Sequence, residues 1–341
     1  MIRFLIISSV LCVSTIAFAQ DIHFSQFDET PIQLNPANAG TKYQLRAIAN
    51  YKSQWQSVNA PFKTFAASID SRLLKSKKHH LGLGVDLFTD NSGGGQLKTT
   101  QANFSLSGII MLNEKNRLSG GMMVGYAQRA LTTSGYQWGN QYDGMKYSSL
   151  LPTGELASGG NYSFVDLGAG LAYNFATRQT DMSANDQKRV TVGVSLFHPH
   201  QPAYSFYGDA TRLFMKMVFH GDAAIGISNT NVILKPSYIV FVQGPTKEIT
   251  PGLSAQYVLQ GVTKYTGNKK FTALSIGGYY RALDAFIAVV KFDYDNSSIG
   301  VSYDINFSKL SPASSSRGGL EISLRFGYET FRRGATTSAF Y

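Results

Sequence analysis

Cysteine occurs once in these 341 residues, at position 12. The rest of the chain has no thiol, which excludes disulfides, cysteine metal sites and a cysteine nucleophile from its body. Charge is sparse too, at 15 % of residues, and mean hydropathy is only −0.10. After the first twenty residues no apolar run approaches the roughly 18 residues of a membrane-crossing helix, so a helical membrane protein is excluded. The six histidines lack the i, i+4 spacing and neighbouring carboxylates of a metal centre. His79-His80 and His198-Pro199-His200 read as polar turn residues, and His23 and His220 as isolated polar positions. The glycine run at 93–95 has no following lysine or helix and is no phosphate cradle. Ser195 and His198 are three apart on one predicted strand, which points them to opposite faces. The chain offers no catalytic, cofactor-binding or metal-ligating residue, and the expectation is a protein that is not an enzyme.

Glycine, tyrosine and phenylalanine, by contrast, are abundant, at 33, 19 and 22 residues. Many aromatics and glycines with little charge suit a transmembrane β-barrel better than a soluble domain. The opening twenty residues read as a secretory signal peptide: Arg3, an apolar run from Phe4 to Ala17, and Ala17-Phe18-Ala19 as the cleavage motif before Gln20. Cys12 lies too early in that segment to be a lipidation site.

Period-2 alternation decides the class. Leu320, Ile322, Leu324, Phe326 and Tyr328 share one face, against Glu321, Ser323, Arg325 and Gly327 on the other. Ile299, Val301, Tyr303, Ile305 and Phe307 likewise oppose Gly300, Ser302, Asp304 and Asn306. A soluble β-sandwich also alternates. Small or glycine-rich polar faces (Gly82, Gly84, Gly168, Gly170) and aromatics at segment ends (Tyr126, Tyr173, Tyr257, Tyr294, Tyr328) favour a barrel in a membrane. Fourteen strands are predicted, at 43–53, 62–72, 80–89, 98–112, 116–128, 162–175, 188–198, 212–227, 232–243, 248–259, 270–282, 284–294, 297–307 and 319–330. The expected fold is all-β: an antiparallel transmembrane barrel in the outer membrane with both termini periplasmic. Loops 129–161 and 199–211 then face outward, and 113–116 and 228–231 are tight inner turns.

This reading leaves nine charged residues on the lumen faces: Asp86, Asp166, Lys216, Asp222, Lys291, Asp293, Asp304, Glu321 and Arg325. Much of the net charge of +10 falls on inner turns, at 72–80, Lys188, Arg189, Lys264, Lys269, Lys270, Arg332 and Arg333. Such a basic rim meets anionic head groups and solvent, or docks an acidic partner. Nucleic acid is not an expected partner, since no binding motif is present.

One stretch fits neither regular pattern: Phe24 to Gly40, "FSQFDETPIQLNPANAG". Pro36 presets its own φ and restricts Asn35 to an extended conformation, while Gly40 permits a positive φ. Phe24, Phe27, Ile32 and Leu34 give the stretch apolar contacts to make. Ser25-Gln26-Phe27, then Asn35-Pro36-Ala37-Asn38-Ala39-Gly40, then Trp55 and the turn at 60–64, resemble the PorP/SprF family of type IX secretion outer-membrane proteins of Bacteroidota. Phe27 stands where tyrosine is common. The resemblance implies an accessory subunit that binds secretion machinery on the periplasmic side and an exported cargo or adhesin, such as one of gliding motility, outside. The runner-up is a channel of porin or hydrophobic-solute type. The expected organisation is a signal peptide (1–19), a lead-in packed in or under the periplasmic mouth (20–42), the barrel (43–331) and a tail (332–341). Partner-binding residues are expected among Ser25, Gln26, Phe27, Asn35, Pro36, Gly40 and Trp55. Tyr136, Trp138 and Tyr142 join them from the outer loop, whose aromatic and small polar mix suits recognition.

Overall fold

A computed structural model describes residues 21–55, 61–75, 78–93, 97–132, 136–154, 160–177, 185–206, 208, 210–261, 270–308 and 317–329. The predicted signal peptide with Cys12, the C-terminal tail, and Lys264, Lys269, Arg332 and Arg333 lie outside these residues. Fourteen strands form one closed antiparallel barrel. They are β1 Leu45–Gln54, β2 Phe62–Lys75, β3 His79–Ser92, β4 Leu97–Met111, β5 Asn116–Leu131, β6 Gly160–Ala176 and β7 Lys188–Phe197. The second half comprises β8 Lys216–Gly226, β9 Val232–Gln243, β10 Thr246–Gln260, β11 Thr272–Arg281, β12 Ala285–Tyr294, β13 Ser297–Asn306 and β14 Arg317–Tyr328. Each predicted segment overlaps one of them. β1 closes on β14 in unbroken register from Leu45↔Tyr328 to Gln54↔Gly319, so no sheet edge is left unpaired.

The strands alternate as the sequence pattern requires. β12 and β13 switch between buried and exposed at almost every residue. Val301 and Leu324 point outward with Ile299, Tyr303, Ile305 and Phe326, giving an apolar wall for lipid. Tyr126, Tyr257, Tyr294 and Tyr328 stand exposed near strand ends, where aromatic girdles form. The described residues of segments 132–159 and 198–215 share one end of the barrel, called here the long-loop end. The connections at 112–115, 227–231 and 295–296 share the other, the turn end, where β1 begins.

The interior differs from the sequence reading in two respects. More charge points inward than the nine residues expected: Arg46, Lys52, Asp70, Arg117 and Arg281 are all buried on the lumen side. Arg72, expected in a turn, lies in β2 and is buried as well. The lumen also holds an apolar core, formed by Phe27 and Leu34 with Met123, Phe197, Val218, Ile239, Phe241, Tyr279, Ile287 and Val289. Both follow from one fact: the lumen is filled with protein, so its wall faces another chain segment instead of water.

The face assignment is testable. Val301→Arg or Leu324→Arg puts a cation against the hydrocarbon at mid-strand, at a cost of about 2–4 kcal/mol. Both variants are expected to lose most of the heat-modifiable, membrane-inserted form on gels, and wild-type insertion of both would reverse the faces. Ser302 and Ser323 face the lumen, but arginine is no milder there. Both lie under the Gln26 side chain, so arginine there must first expel the segment that fills the barrel.

Candidate functional site

The filling is the N-terminal stretch. Residues 21–41 run inside the barrel from the long-loop end to the turn end, so the lead-in spans the lumen between both mouths. Three short turns carry it: Phe27–Glu29, a single α-helical turn Pro31–Leu34, and Pro36–Asn38. Pro31 and Pro36 each sit at a first helical position, where the missing N–H costs nothing. Asn35 is extended, with φ −160° and ψ 118°, and accepts the Ala37 N–H on its side chain. Gly40 has φ +65°, as expected of the turn into β1.

Such a segment satisfies few of its own backbone groups, and the wall supplies the rest. Glu321 accepts the N–H of Ser25 at 2.7 Å and of Gln26 at 2.8 Å, one on each carboxylate oxygen. Ser25 Oγ donates to Asp304 at 2.9 Å and accepts from Arg281. Gln26 donates to Ser302 Oγ and accepts from Ser323 Oγ, and the Phe27 ring lies 5.2 Å from that of Tyr279. Lys52 donates to the His23 carbonyl at 3.0 Å. Asp70 accepts the Gly40 N–H at 2.8 Å and is itself gripped by Arg46. Arg46, Ser107, Arg72 and Arg117 donate to the carbonyls of Asn38, Ala39, Gly40 and Thr41 in turn. With Gly82, Leu171, Ser195, His220, Gln243, Glu248 and Lys291, every one of the fourteen strands touches the segment.

Close approach explains the lumen glycines. A Cβ on Gly82 would lie 2.2 Å from the Ala39 carbonyl oxygen, and one on Gly121 would lie 2.4 Å from the Ala37 nitrogen. Asn35 rests against Gly170 and Gly193, and there its amide donates to the carbonyls of Leu171 and Val194. The small residues of Asn-Pro-Ala-Asn-Ala-Gly thus meet a wall stripped of side chains at matching heights.

Ion pairs tether both ends. At the turn end Glu29 faces Arg325 at 2.7 Å and Lys291 at 3.4 Å, and Asp28 also pairs with Lys291. Burial opposes ionisation of Glu29, yet Arg325 and Lys291 hold its pKa down at about 2. At the long-loop end His198 contacts Asp166 through Nδ1 at 2.6 Å and Asp21 through Nε2 at 2.7 Å. Both ring nitrogens face carboxylates, so both must donate and the ring is an imidazolium. Burial works against that charge, but Asp21 and Asp166 raise the His198 pKa to about 9. Asp21, although half-buried, is held well below the usual carboxylate range by Lys216 and His198.

The histidine expectations change accordingly. His198 is not a solvated turn residue, because its φ of +57° swings the ring back over the lumen. Ser195 and His198 therefore both face inward, contrary to the alternation argument. They form no nucleophile–base pair, since Ser195 Oγ donates to the Leu34 carbonyl at 2.5 Å. His220 also serves the plug, with Nε2 3.2 Å from the Asn35 amide.

Of the residues singled out in sequence, Ser25, Gln26, Phe27, Asn35, Pro36 and Gly40 come together in the lumen. All six are turned into the wall and present no outer surface. Trp55 sits apart at the long-loop end of β1, edge-on to Phe62 at 4.9 Å. Tyr136 and Trp138 form an edge-to-face pair in segment 132–159, while Tyr142 is exposed in a small hairpin with Tyr147. Near that end Arg129 stacks over Tyr204 at 4.3 Å and bonds Tyr162, drawing segment 198–215 towards β5 and β6. That cluster had no sequence signal, because it joins residues far apart in the chain.

A family model described as type IX secretion system membrane protein PorP/SprF matches residues 16–326. No curated protein is matched. Among solved structures, a FadL homologue of Pseudomonas aeruginosa is similar with a TM-score of 0.44 and 11 % identity, over 86 % of this chain and 93 % of that one. The toluene transporter TodX of P. putida gives a TM-score of 0.40 and 11 % identity, over 87 % and 93 % of the two chains. The translocator domain of the autotransporter NalP from Neisseria meningitidis gives 0.37 and 12 %, over 84 % and 89 %. At these values none lends its function to this chain.

Two outcomes check the seat. Gly121→Val is expected to expel the Asn-Pro-Ala turn yet leave the closed sheet intact, whereas Gly108→Val, where nothing lies within 4 Å, is expected to change neither. Protease cleavage of residues 21–41 in an otherwise heat-modifiable barrel reads the difference. The second concerns pH. The His198 pKa is raised from 6.5 to about 9, so its tether is complete below 6.5 and is lost as pH rises through 9. Hydrogen-exchange protection of residues 21–26, corrected for intrinsic rate, should fall across that window in the wild type. In His198→Gln it should be low and flat.

Proposed function

The chain belongs to the PorP/SprF family of type IX secretion system membrane proteins, and we propose that in the outer membrane it works by binding and not by conduction or catalysis. Its turn end faces the periplasm and the secretion machinery, and its long-loop end faces outward to an exported protein. The observation that carries this reading is the plug: a lumen segment tied to all fourteen strands must leave its seat before anything can pass. The buried residues Ser25 to Gly40 then act by holding that plug. Trp55, Tyr136, Trp138 and Tyr142 are the contact residues for cargo. Met145 and Leu150 support this, since they are 89 % and 93 % exposed in the same segment and apolar side chains so presented suit a protein partner.

This orientation puts the C-terminal end of β14 in the periplasm, and β1 begins beside it. The first plug residues lie at the opposite end, having crossed the lumen.

Two measurements decide between binding and passage. In planar bilayers the wild-type protein is expected to show little conductance, and a variant lacking residues 21–41 to show large steps. Open-channel conductance from the wild type would favour the channel reading. In cells, Pro36→Ala combined with Gly40→Val should insert normally and lose secretion or surface display of the partner. A valine at Gly40 is strained at φ +65° and meets Gly82 Cα at 2.9 Å. Normal display would reduce the segment to a linker.

A further inference from the structure

Most cations of the lumen have a partner: Lys52, Arg72 and Arg117 donate to plug carbonyls. Arg46, Lys216, Arg281, Lys291 and Arg325 each face a carboxylate. At the turn end, Lys42, Arg189 and Lys235 make no hydrogen bond or ion pair among the described residues. Register places two of them together. Arg189 pairs with Ala224 across β7 and β8. The register that joins Asp222 to Ser237 and Ile225 to Leu234 sets Lys235 opposite the same Ala224 on the other side. These positions share the inward face with His220, two and four residues along β8. Arg189 and Lys235 thus flank a methyl group, each about 5 Å from it in backbone spacing. Lys42 joins them from the last stretch of the plug, close enough for its charge to act on Asp222 together with theirs.

Asp222 stands against these three cations, with Asp293 also acting on Lys235 and Glu29 on Lys42, though both of those carboxylates are already paired with Arg325. Tyr43 adjoins Lys42: burial would raise the pKa of its phenol, yet Lys42 and Arg325 bring it below the ordinary value. Lys42 itself is brought below its ordinary pKa: the Tyr43 charge favours its protonation, but burial and the charges of Arg325 and Arg189 outweigh that. Lys42, Tyr43, Arg189 and Lys235 are all half-buried and not sealed, so this corner of the mouth is open to solvent.

We propose that Lys42, Arg189 and Lys235 form a receptor at the turn end for the carboxylates of an acidic peptide segment of a partner protein. The cations lie inside the wall, where lipid head groups do not reach. Two sit across Ala224 from one another, and the third comes from the plug. With the two backbones about 10 Å apart, that spread suits several carboxylates along an extended chain better than one compact ion. The receptor deepens the reading that the turn end faces the secretion machinery, and it joins partner binding to the plug through Lys42.

The test uses the full-length protein in detergent with a fluorescein-labelled hexaglutamate peptide, read by anisotropy at physiological salt. Combined Lys42→Gln, Arg189→Gln and Lys235→Gln should weaken binding by about tenfold or more. The control removes the same charge from exposed sites at the other end, with Lys63→Gln, Lys98→Gln and Lys146→Gln, and should bind as wild type. Lys235→Arg guards against a folding defect and should keep the affinity. Equal loss in the control variant, or no loss in the first, overturns the receptor. Displacement of the peptide by an equal concentration of inorganic phosphate also overturns it, in favour of a phosphate site. Secretion is scored separately: if peptide binding is lost and secretion persists, the receptor stands and the role assigned to the turn end falls.

Discussion

A segment without regular structure can cross a closed barrel only where the wall satisfies its backbone. An unsatisfied buried N–H or carbonyl costs about 1–3 kcal/mol, and residues 21–41 are buried over most of their length. The lumen wall is organised around that requirement. Glu321 takes two adjacent N–H groups, Asp70 takes a third, and Arg46, Ser107, Arg72 and Arg117 serve four successive carbonyls. Those charged side chains would be costly inside a barrel on their own account. Here each is paired, or directed at the plug, or both.

Shape follows the same constraint. The plug approaches the sheet at distances no Cβ would permit, at Gly82 and Gly121 in particular, and it does so through its smallest residues. Where it carries larger side chains, Phe27 and Leu34, the wall answers with Ile239, Phe241, Tyr279 and Ile287. The seat is therefore specific in both directions. Polar bonds set the height of each plug residue, and glycine and apolar positions set its depth.

Charge separates the two ends. Towards the long-loop end the tether is an imidazolium between two carboxylates, assisted by Lys216. Towards the turn end a paired cluster around Glu29 adjoins an unpaired basic corner. Lys42, Arg189 and Lys235 make that corner a place for an anion supplied from outside. The plug thus connects a titratable contact at one mouth with an anion-ready one at the other.

Periodicity alone determined the barrel, because alternation with a small polar face and an apolar aromatic face has one stable solution in lipid: strands closed on themselves. It also determined the strand count and the outward placement of Val301 and Leu324, while residue type alone determined the backbone of Asn35, Pro36 and Gly40. Tertiary structure decided what filled the lumen. Ser25 meets Glu321, and Asp21 meets His198, only because closure brings β14 back to β1 and the plug across to β7. No local pattern encodes a contact spanning most of the chain. For the same reason Arg46 and Asp70 were not among the lumen charges read from the sequence, and Arg72 read as a turn residue: their partners exist only once the barrel is closed around the segment they hold.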